Sequence, residues 1–494
     1  MPRKPPAFVW FALPVVLFLY FYNLNAAGLV GPDEPRYASV SREMAHSGDW
    51  VTPRLWGQPW FEKPALLYWM QAAAFRAGLG PELASRLPVV VVALMFLGFY
   101  WWILEREFGR RVAAYATLIL GTCAGWVGFS QVGVTDLPLT AAFSAGVLLA
   151  LPWINRGDTR LLPAAAAMLG AAVLAKGLVP LVLALPMLIR GRIRDLLRPQ
   201  VIATFLIVAL PWYVLCYLRN GREFWDVFFW QHHFSRFTST ELQHGQPWWF
   251  YIPVLAGALL PWSPLLVLGT RRTMWREPRR IFLAIVVLFG LLFFSIAANK
   301  LPGYVLPLLP AAAVLMAIAL EETIDARPWL AVCALMLVMY PIAARLLPAA
   351  IAAGLSRTAP PQFEVTWLAP FVLAAAIWIV GRRADRLPVF AGLAVCAAAG
   401  ILYLKTTALP EINRIASARE LWSELGPRAA DVCVDDIHRN WRYGLNFYSV
   451  APLPDCAQQP KPLTIRQSPG ALPYLAPAGS APASYSPVSG LESK

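Results

Sequence analysis

Charge is scarce in this chain. Asp, Glu, Lys and Arg make up 14% of its 494 residues, while hydrophobic residues make up 58%. Soluble globular domains carry about a quarter charged residues, so the composition excludes a string of soluble domains and describes a membrane protein. Histidine is nearly absent, with 5 in all, and the 6 cysteines contain no C-x-x-C pair. That lack excludes the usual thiolate spacing of a structural zinc site. No internal repeat is visible, which speaks against a transporter built from symmetric halves. The net charge of +14 does not point to nucleic acid, because a nucleic-acid footprint gathers its basic residues on one polar face. Here they sit in short clusters between apolar runs, as at Arg110-Arg111, Arg190 with Arg192 and Arg194, Arg271-Arg272 with Arg279-Arg280, and Arg382-Arg383.

What is abundant is apolar length. A bilayer core needs about 20 apolar residues per spanning helix. Thirteen candidate runs can be read, roughly 8–24, 83–104, 112–129, 135–154, 161–175, 177–190, 200–218, 250–269, 281–298, 303–320, 328–347, 365–381 and 387–404. With Arg3-Lys4 placed inside, the basic clusters at 106–111, 156–160, 190–198, 271–280 and 382–386 fall on the same side, as the positive-inside rule asks. The agreement needs a break at Lys176, since one long helix over 161–190 would send the later basic loops outward. The first run has the basic start and the small residues Ala26-Ala27-Gly28 of a signal peptide; it is read as an uncleaved anchor.

The expected architecture is an all-α polytopic inner-membrane protein with a cytoplasmic N-terminus and a periplasmic C-terminus. A transmembrane domain would cover 1–405, a small periplasmic α/β domain 406–466, and a disordered Pro- and Ser-rich tail 467–494. Within the small domain, Glu411 to Leu425 reads as helix and Asp431 to Val434 as strand. Cys433 and Cys456 would share a compartment that permits a disulfide. The first outer loop, 25–82, holds two short helical patterns, about 34–47 and 64–78, too short to span and suited to the interface.

Several polar residues fall on the outer face. Asp33-Glu34 is a natural acid-base or cation-stabilising pair, and equally a helix cap with an acidic first turn. Glu62-Lys63, after Trp60-Phe61, is either a functional pair or an interfacial anchor. Lys176 between apolar runs needs a partner or a polar headgroup. Asp136 follows the same logic, with N-capping as its plainer role. In Asn299-Lys300-Leu301-Pro302-Gly303-Tyr304 the Pro-Gly pair explains a turn, which leaves Lys300 and Tyr304. His233, Arg236 and His244 belong to a second outer loop rich in aromatics, and a divalent metal on Glu62 and His233 is a candidate cofactor. Lys63, Lys176, Arg236 and Lys300 on one face suit a phosphate.

Taken in order, Gly31-Pro32-Asp33-Glu34-Pro35-Arg36-Tyr37-Ala38, Arg42-Glu43-Met44, Phe61-Glu62-Lys63-Pro64, His233 with Arg236-Phe237, Gln243-His244 and Lys300-Leu301-Pro302 with Tyr304 resemble the lipid A aminoarabinose transferases. These sit in the dolichyl-phosphate-mannose protein mannosyltransferase superfamily of C-type membrane glycosyltransferases. The resemblance covers about 1–405 and departs at the tail. It implies a C-type fold and transfer of a sugar from a polyprenyl phosphate donor to a periplasmic acceptor. That would be 4-amino-4-deoxy-L-arabinose passed to a lipid A phosphate, or another sugar passed to a polysaccharide or protein hydroxyl. A lipid-linked sugar transporter is the reading from a different class. Carried over residue by residue, Asp33 would be the essential acid with Glu34 beside it. Lys63, Lys176, Arg236 and Lys300 would meet the donor phosphate, and Arg36, Tyr37, Asp136, His233, His244 and Tyr304 would line the cavity.

Overall fold

The computed structural model describes residues 14–480 apart from 16, 191, 236–244, 271–274, 356–357, 382–384 and 469–470. Seven helices are long and apolar enough to cross a membrane: Pro81–Phe108, Asp136–Arg156, Pro199–Trp230, Pro278–Ile296, Pro302–Glu321, Arg327–Ala352 and Arg386–Ala416. Two further runs are helix pairs, Arg110–Thr122 with Ala124–Ser130 bent by 56° and Tyr251–Ala258 with Ser263–Thr270 bent by 115°, which makes nine if each counts as one span. Leu162–Lys176, Val179–Leu188 and Val365–Ile379 are shorter apolar helices. Every apolar run expected from 83 onward is thus helical, while length and composition qualify fewer than thirteen of them as spans. The run at 8–24 falls partly outside the described residues, with helix at 14–15 and 17–21.

Proline marks the starts of these helices. Pro81, Pro199, Pro278, Pro302 and Pro328 occupy the first turn, where the missing N–H has no intrahelical partner to lose. The expected break at Lys176 is present. Helix Leu162–Lys176 ends on Gly177, whose φ of 79° is open to glycine and strained for other residues. Two helices form the centre, with 94% of the apolar window of Asp136–Arg156 and 89% of that of Pro302–Glu321 buried. Helices apolar on every side belong in such positions. Both begin at the same end of the molecule, and there the candidate site lies.

The first loop folds as a compact cap at that end. Helices Asp33–Ser47 and Leu66–Arg76 match the two expected patterns and pack on one another. Between them Arg54–Leu55 pairs antiparallel with Gln58–Pro59, a hairpin that the sequence reading missed. Its two turn residues, Trp56 and Gly57, have φ of 56° and 81°, the left-handed pair that suits the twist of a two-residue hairpin. Trp56 is strained there, because bulky side chains rarely adopt positive φ.

At the other terminus, helix Arg386–Ala416 runs unbroken through 405 and 406, so the boundary expected there falls inside a helix. Helix Arg419–Leu425, strand Val432–Val434 and helix Arg439–Tyr448 follow. Val432–Val434 pairs parallel with Leu463–Arg466, which pairs antiparallel with Tyr474–Pro477. Leu425, Val432, Val434, Leu445 and Ile465 are buried together as a core separate from that of the membrane domain. The last strand corrects the expectation of disorder from 467. Leu475 packs on that core, and ladder hydrogen bonds to a neighbouring strand order a segment whose composition alone reads as tail. Residues 481–494 lie outside the described residues. Cys433 and Cys456 are disulfide-bonded, 23 residues apart.

That bridge ties the edge strand Val432–Val434 to Cys456 and closes a loop that carries helix Arg439–Tyr448. Cys433→Ser is expected to destabilise the domain by about 3 kcal/mol, the loop-closure value for a bridge of this span. The change should appear as faster amide exchange over Val432–Val434, with Pro302–Glu321 unaffected. Unchanged protection of the strand would refute the stapling role.

Candidate active site

Asp33 and Glu34, adjacent in sequence, have opposite environments. They open helix Asp33–Ser47, but neither caps it, since the N-cap is Pro32 with no side-chain bond. Glu34 is 1% exposed. Its Oε1 accepts from Arg86 Nε at 2.7 Å and from the Gly133 N–H at 2.9 Å, and its Oε2 accepts from Arg86 Nη2 at 2.9 Å and the Val30 N–H at 3.0 Å. Arg86 also donates to the carbonyls of Leu24, Ala27 and Gly28. Glu34 does not line the cavity described below, and the expectation of a catalytic Glu34 is corrected on that geometry. All four of its contacts hold the chain in place, and none leaves an oxygen for a substrate.

Asp33 has a side chain that is 48% exposed and lies within 2.5 Å of Arg36 Nη2. The same nitrogen meets Glu62 Oε2 at 2.9 Å, and Glu62 Oε1 is 3.3 Å from Lys63 Nζ. Arg36 therefore joins the two acids through one nitrogen. Burial opposes its charge, yet Glu62, Tyr37 and Asp33 together hold its pKa above the ordinary arginine value. Burial first, and then the negative charge of Glu62, pushes the Tyr37 and Tyr68 hydroxyls well above the ordinary tyrosine value. Both remain protonated.

Asp33, Tyr37, Glu62 and Lys63 face a cavity of about 570 Å³ whose lining also includes Asp136, Lys176 and Tyr304, with Phe129, Leu139, Phe293 and Phe294 as apolar wall. Arg36, expected on that wall, does not line it and instead pairs with the acids that do. Lys176 finds the partner it needs in Asp136, Nζ to Oδ1 at 2.6 Å, and its ammonium lies 5.1 Å from the centre of the Tyr304 ring. Asp136 is the first residue of its helix and the N-cap, Thr135, makes no side-chain bond, so its carboxylate serves the lysine and not the helix end. Gly303 does more than turn the chain. A Cβ there would come within 2.9 Å of Asp136 Oδ1 and 3.0 Å of the Phe129 ring. No pattern in the sequence gave that requirement away, because the neighbour it protects is distant along the chain.

Other expected residues stand elsewhere. Lys300 is buried and donates to the Ala297 carbonyl at 2.7 Å. Its neighbours Asn299 and Leu301 line the cavity but Lys300 does not, which corrects its reading as a phosphate ligand. Arg236 and His244 lie outside the described residues, as does the side chain of His233. Gly245, which follows them, forms a bridge with Asn299 at the cavity wall. Among the described residues no three or more His, Cys, Asp or Glu side chains gather as a metal site. Glu62, the expected ligand, is engaged by Arg36 and Lys63.

Residues 62–217 match the family described as dolichyl-phosphate-mannose-protein mannosyltransferase. The undecaprenyl phosphate-alpha-4-amino-4-deoxy-L-arabinose arabinosyl transferase of Pseudomonas aeruginosa is 38% identical over 334 residues, a match covering 63% of this chain and 59% of that relative. The enzyme of the same name from Pseudomonas paraeruginosa is 34% identical over 511 aligned positions, covering 92% of this chain and 89% of the relative. The chain belongs to this family. The crystal structure of ArnT from Cupriavidus metallidurans bound to undecaprenyl phosphate superposes with a TM-score of 0.72 at 25% identity over 92% of both chains. The archaeal oligosaccharyltransferase AglB from Archaeoglobus fulgidus shares the fold alone, with a TM-score of 0.52 at 12% identity over 91% of this chain and 64% of its own. This aminoarabinosyl transferase family member is therefore a multi-pass membrane protein of the C-type glycosyltransferase fold.

The contrast between Asp33 and Glu34 can be measured. Arg86→Met in this family member is expected to cost about 3–5 kcal/mol by stranding the buried Glu34 carboxylate, seen as a lower thermal midpoint. Asp33→Asn, at an exposed carboxylate outside that clamp, should leave the midpoint in place. Equal shifts would contradict the division of roles.

Proposed function

We propose that this chain transfers 4-amino-4-deoxy-L-arabinose from an undecaprenyl phosphate donor to a phosphate of lipid A, at the periplasmic face of the bacterial inner membrane. The observation that carries the reading is one cavity in which the carboxylate of Asp33 faces the same space as the ammonium groups of Lys63 and Lys176. In glycosyl transfer positive charge grows at the anomeric carbon while negative charge gathers on the departing phosphate. A carboxylate on one side and cations on the other stabilise both.

Asp33 is the catalytic residue of this proposal. One of its oxygens is engaged by Arg36, and an acceptor phosphate is already an anion that needs no general base. Asp33 then orients the acceptor and steadies the developing positive charge. Lys63 and Lys176 receive the leaving phosphate, with Asp136 and the Tyr304 ring holding the Lys176 ammonium in the cavity wall. Tyr37 and Tyr304 offer aromatic surface to the sugar. A second cavity, of about 770 Å³ and lined by Val173, Leu178, Leu181, Tyr213, Phe224 and further apolar side chains, suits a prenyl chain. The stretch 173–179 contributes walls to both cavities, which would place the lipid tail and its phosphate on either side of Lys176. Arg236, His233 and His244, on the segment that ends at the Asn299 bridge, are proposed to complete the phosphate and acceptor side.

The positive-inside pattern supports a cytoplasmic N-terminus. The Cys433–Cys456 disulfide suits an oxidising compartment for the C-terminal domain. Asp33→Asn in the purified protein is expected to lower transfer from an undecaprenyl phosphate sugar by about 100-fold or more. Transfer at the unsubstituted rate would overturn the assignment. Mass spectrometry of lipid A from cells with and without the protein tests the sugar and acceptor. A lipid A profile that does not depend on the protein would remove both while leaving transfer to another acceptor standing.

A further inference from the structure

The charge network of the first loop ends on a ring that belongs to a different part of the chain. Arg36 is mostly buried, but its hydrogen bonds do little to orient it. Nη2 carries both carboxylate contacts, to Asp33 and Glu62, and the buried Nε has no acceptor. Three aromatic rings surround the guanidinium instead, Tyr37 at 5.5 Å, Trp60 at 5.6 Å and Tyr443 at 5.4 Å from its carbon to the ring centroid. Tyr37 and Trp60 are local, in the first loop. Tyr443 comes from helix Arg439–Tyr448 of the C-terminal domain.

That helix is fixed where it lies by other contacts. It packs across helix Asp33–Ser47. Arg42 lies 4.4 Å from the centre of the Phe447 ring, and the Tyr448 hydroxyl donates to Glu82 at 2.8 Å and accepts from the Leu29 N–H at 3.1 Å. Phe447 and Tyr448 thus dock the domain, while Tyr443, one turn earlier, reaches the site. The Tyr443 ring also stacks on Trp56, with centroids 5.7 Å apart and planes 24° apart. Trp56 is the residue held at a φ of 56° in the hairpin turn. A strained aromatic turn residue persists where surrounding structure over-determines it, and here it braces the Tyr443 ring.

We propose that Tyr443 is a positioning residue for the transfer reaction. By holding the Arg36 guanidinium through its ring, it fixes the carboxylate of Asp33 in the cavity, and so makes the C-terminal domain part of the active site. The proposal rests on the transferase reading for its effect on turnover, but the contact itself can be measured without turnover. Misplacing a catalytic group by a fraction of an ångström slows the chemical step more than it weakens substrate binding. A cation held by a ring is indifferent to the phenol hydroxyl, because the ring face attracts it. Tyr443→Phe should therefore behave as the unsubstituted protein does, and Tyr443→Ala should not.

The test uses the full chain in lipid nanodiscs, with Tyr443→Ala, Tyr443→Phe, Arg36→Met and the Arg36→Met, Tyr443→Ala double variant. Transfer from an undecaprenyl phosphate aminosugar to lipid A is read as kcat and donor KM. Tyr443→Ala is expected to lower kcat about five- to tenfold, the effect of losing one desolvated cation–ring contact, with donor KM nearly unchanged. Tyr443→Phe should keep kcat within about twofold, and in the Arg36→Met background the alanine substitution should cost no further activity. Tyr443→Phe falling as far as Tyr443→Ala, or losses that multiply in the double variant, would overturn the proposal. Thermal midpoints of the same proteins are read alongside. Non-additive shifts of Arg36→Met and Tyr443→Ala support the contact, and additive shifts refute it. Absence of transfer by the unsubstituted protein would count against the transferase reading, while the midpoint cycle still decides whether Tyr443 holds Arg36.

Discussion

The site depends on a buried ion pair that takes no part in the proposed chemistry. Glu34 and Arg86 satisfy each other and draw in two backbone N–H groups and three carbonyls. A buried pair of charges is tolerable when every lone pair and proton is matched, and otherwise costs more than it returns. Here the matching ties together three stretches distant in sequence: the turn at 24–34, the start of helix Pro81–Phe108, and the turn before helix Asp136–Arg156. The first carries Asp33 and the last leads directly into Asp136. Consecutive helical residues point about 100° apart, so fixing Glu34 inward leaves Asp33 toward the cavity.

The cavity charges come already paired. Asp33 with Arg36, Glu62 with Lys63 and Arg36, and Asp136 with Lys176 form acid-base contacts at or below 3.3 Å. Charges facing an apolar environment are tolerated mainly when matched, which accounts for acids beside the very cations that suit a phosphate. An anionic ligand entering this space joins existing pairs, and it gains from cations whose orientation is already set.

Much of this was legible in the residues. The break at Lys176, the two short helices of the first loop and the strand around Cys433 follow from periodicity and the placing of the basic clusters, while compartment chemistry permitted the bond to Cys456 without requiring it. Topology put Asp33, Lys63 and Lys176 on one side, and the family resemblance implied the cavity that they line with Asp136 and Tyr304. Glu34 was not legible. Its neighbour in sequence shares its chemistry, and only the partner 52 residues away separates scaffold from site. Lys300 misled for a related reason: it stands between cavity-lining residues, yet its ammonium turns to the Ala297 carbonyl. The hairpin at Arg54–Pro59 escaped because its strands have two residues each and its turn uses a tryptophan where asparagine or glycine is usual. The part played by the C-terminal domain could not be read at all, because Arg36 and Tyr443 share no local pattern and meet only in three dimensions.

Helix Arg386–Ala416 begins beside the end of helix Pro302–Glu321 that lies away from the cavity and runs without a break into the base of the C-terminal domain. Along the way Lys405 donates to the Leu19 carbonyl and to Gln131, and Asn413 holds the Gly28 N–H. A rod of this kind has no slack. Adding one residue anywhere along it advances everything beyond by about 1.5 Å and swings it by about 100°, enough to carry Tyr443 away from Arg36 altogether. The shaft is therefore a stretch where changes of length reach further than substitutions do, and the domain it carries is geared to the membrane helices instead of tethered to them.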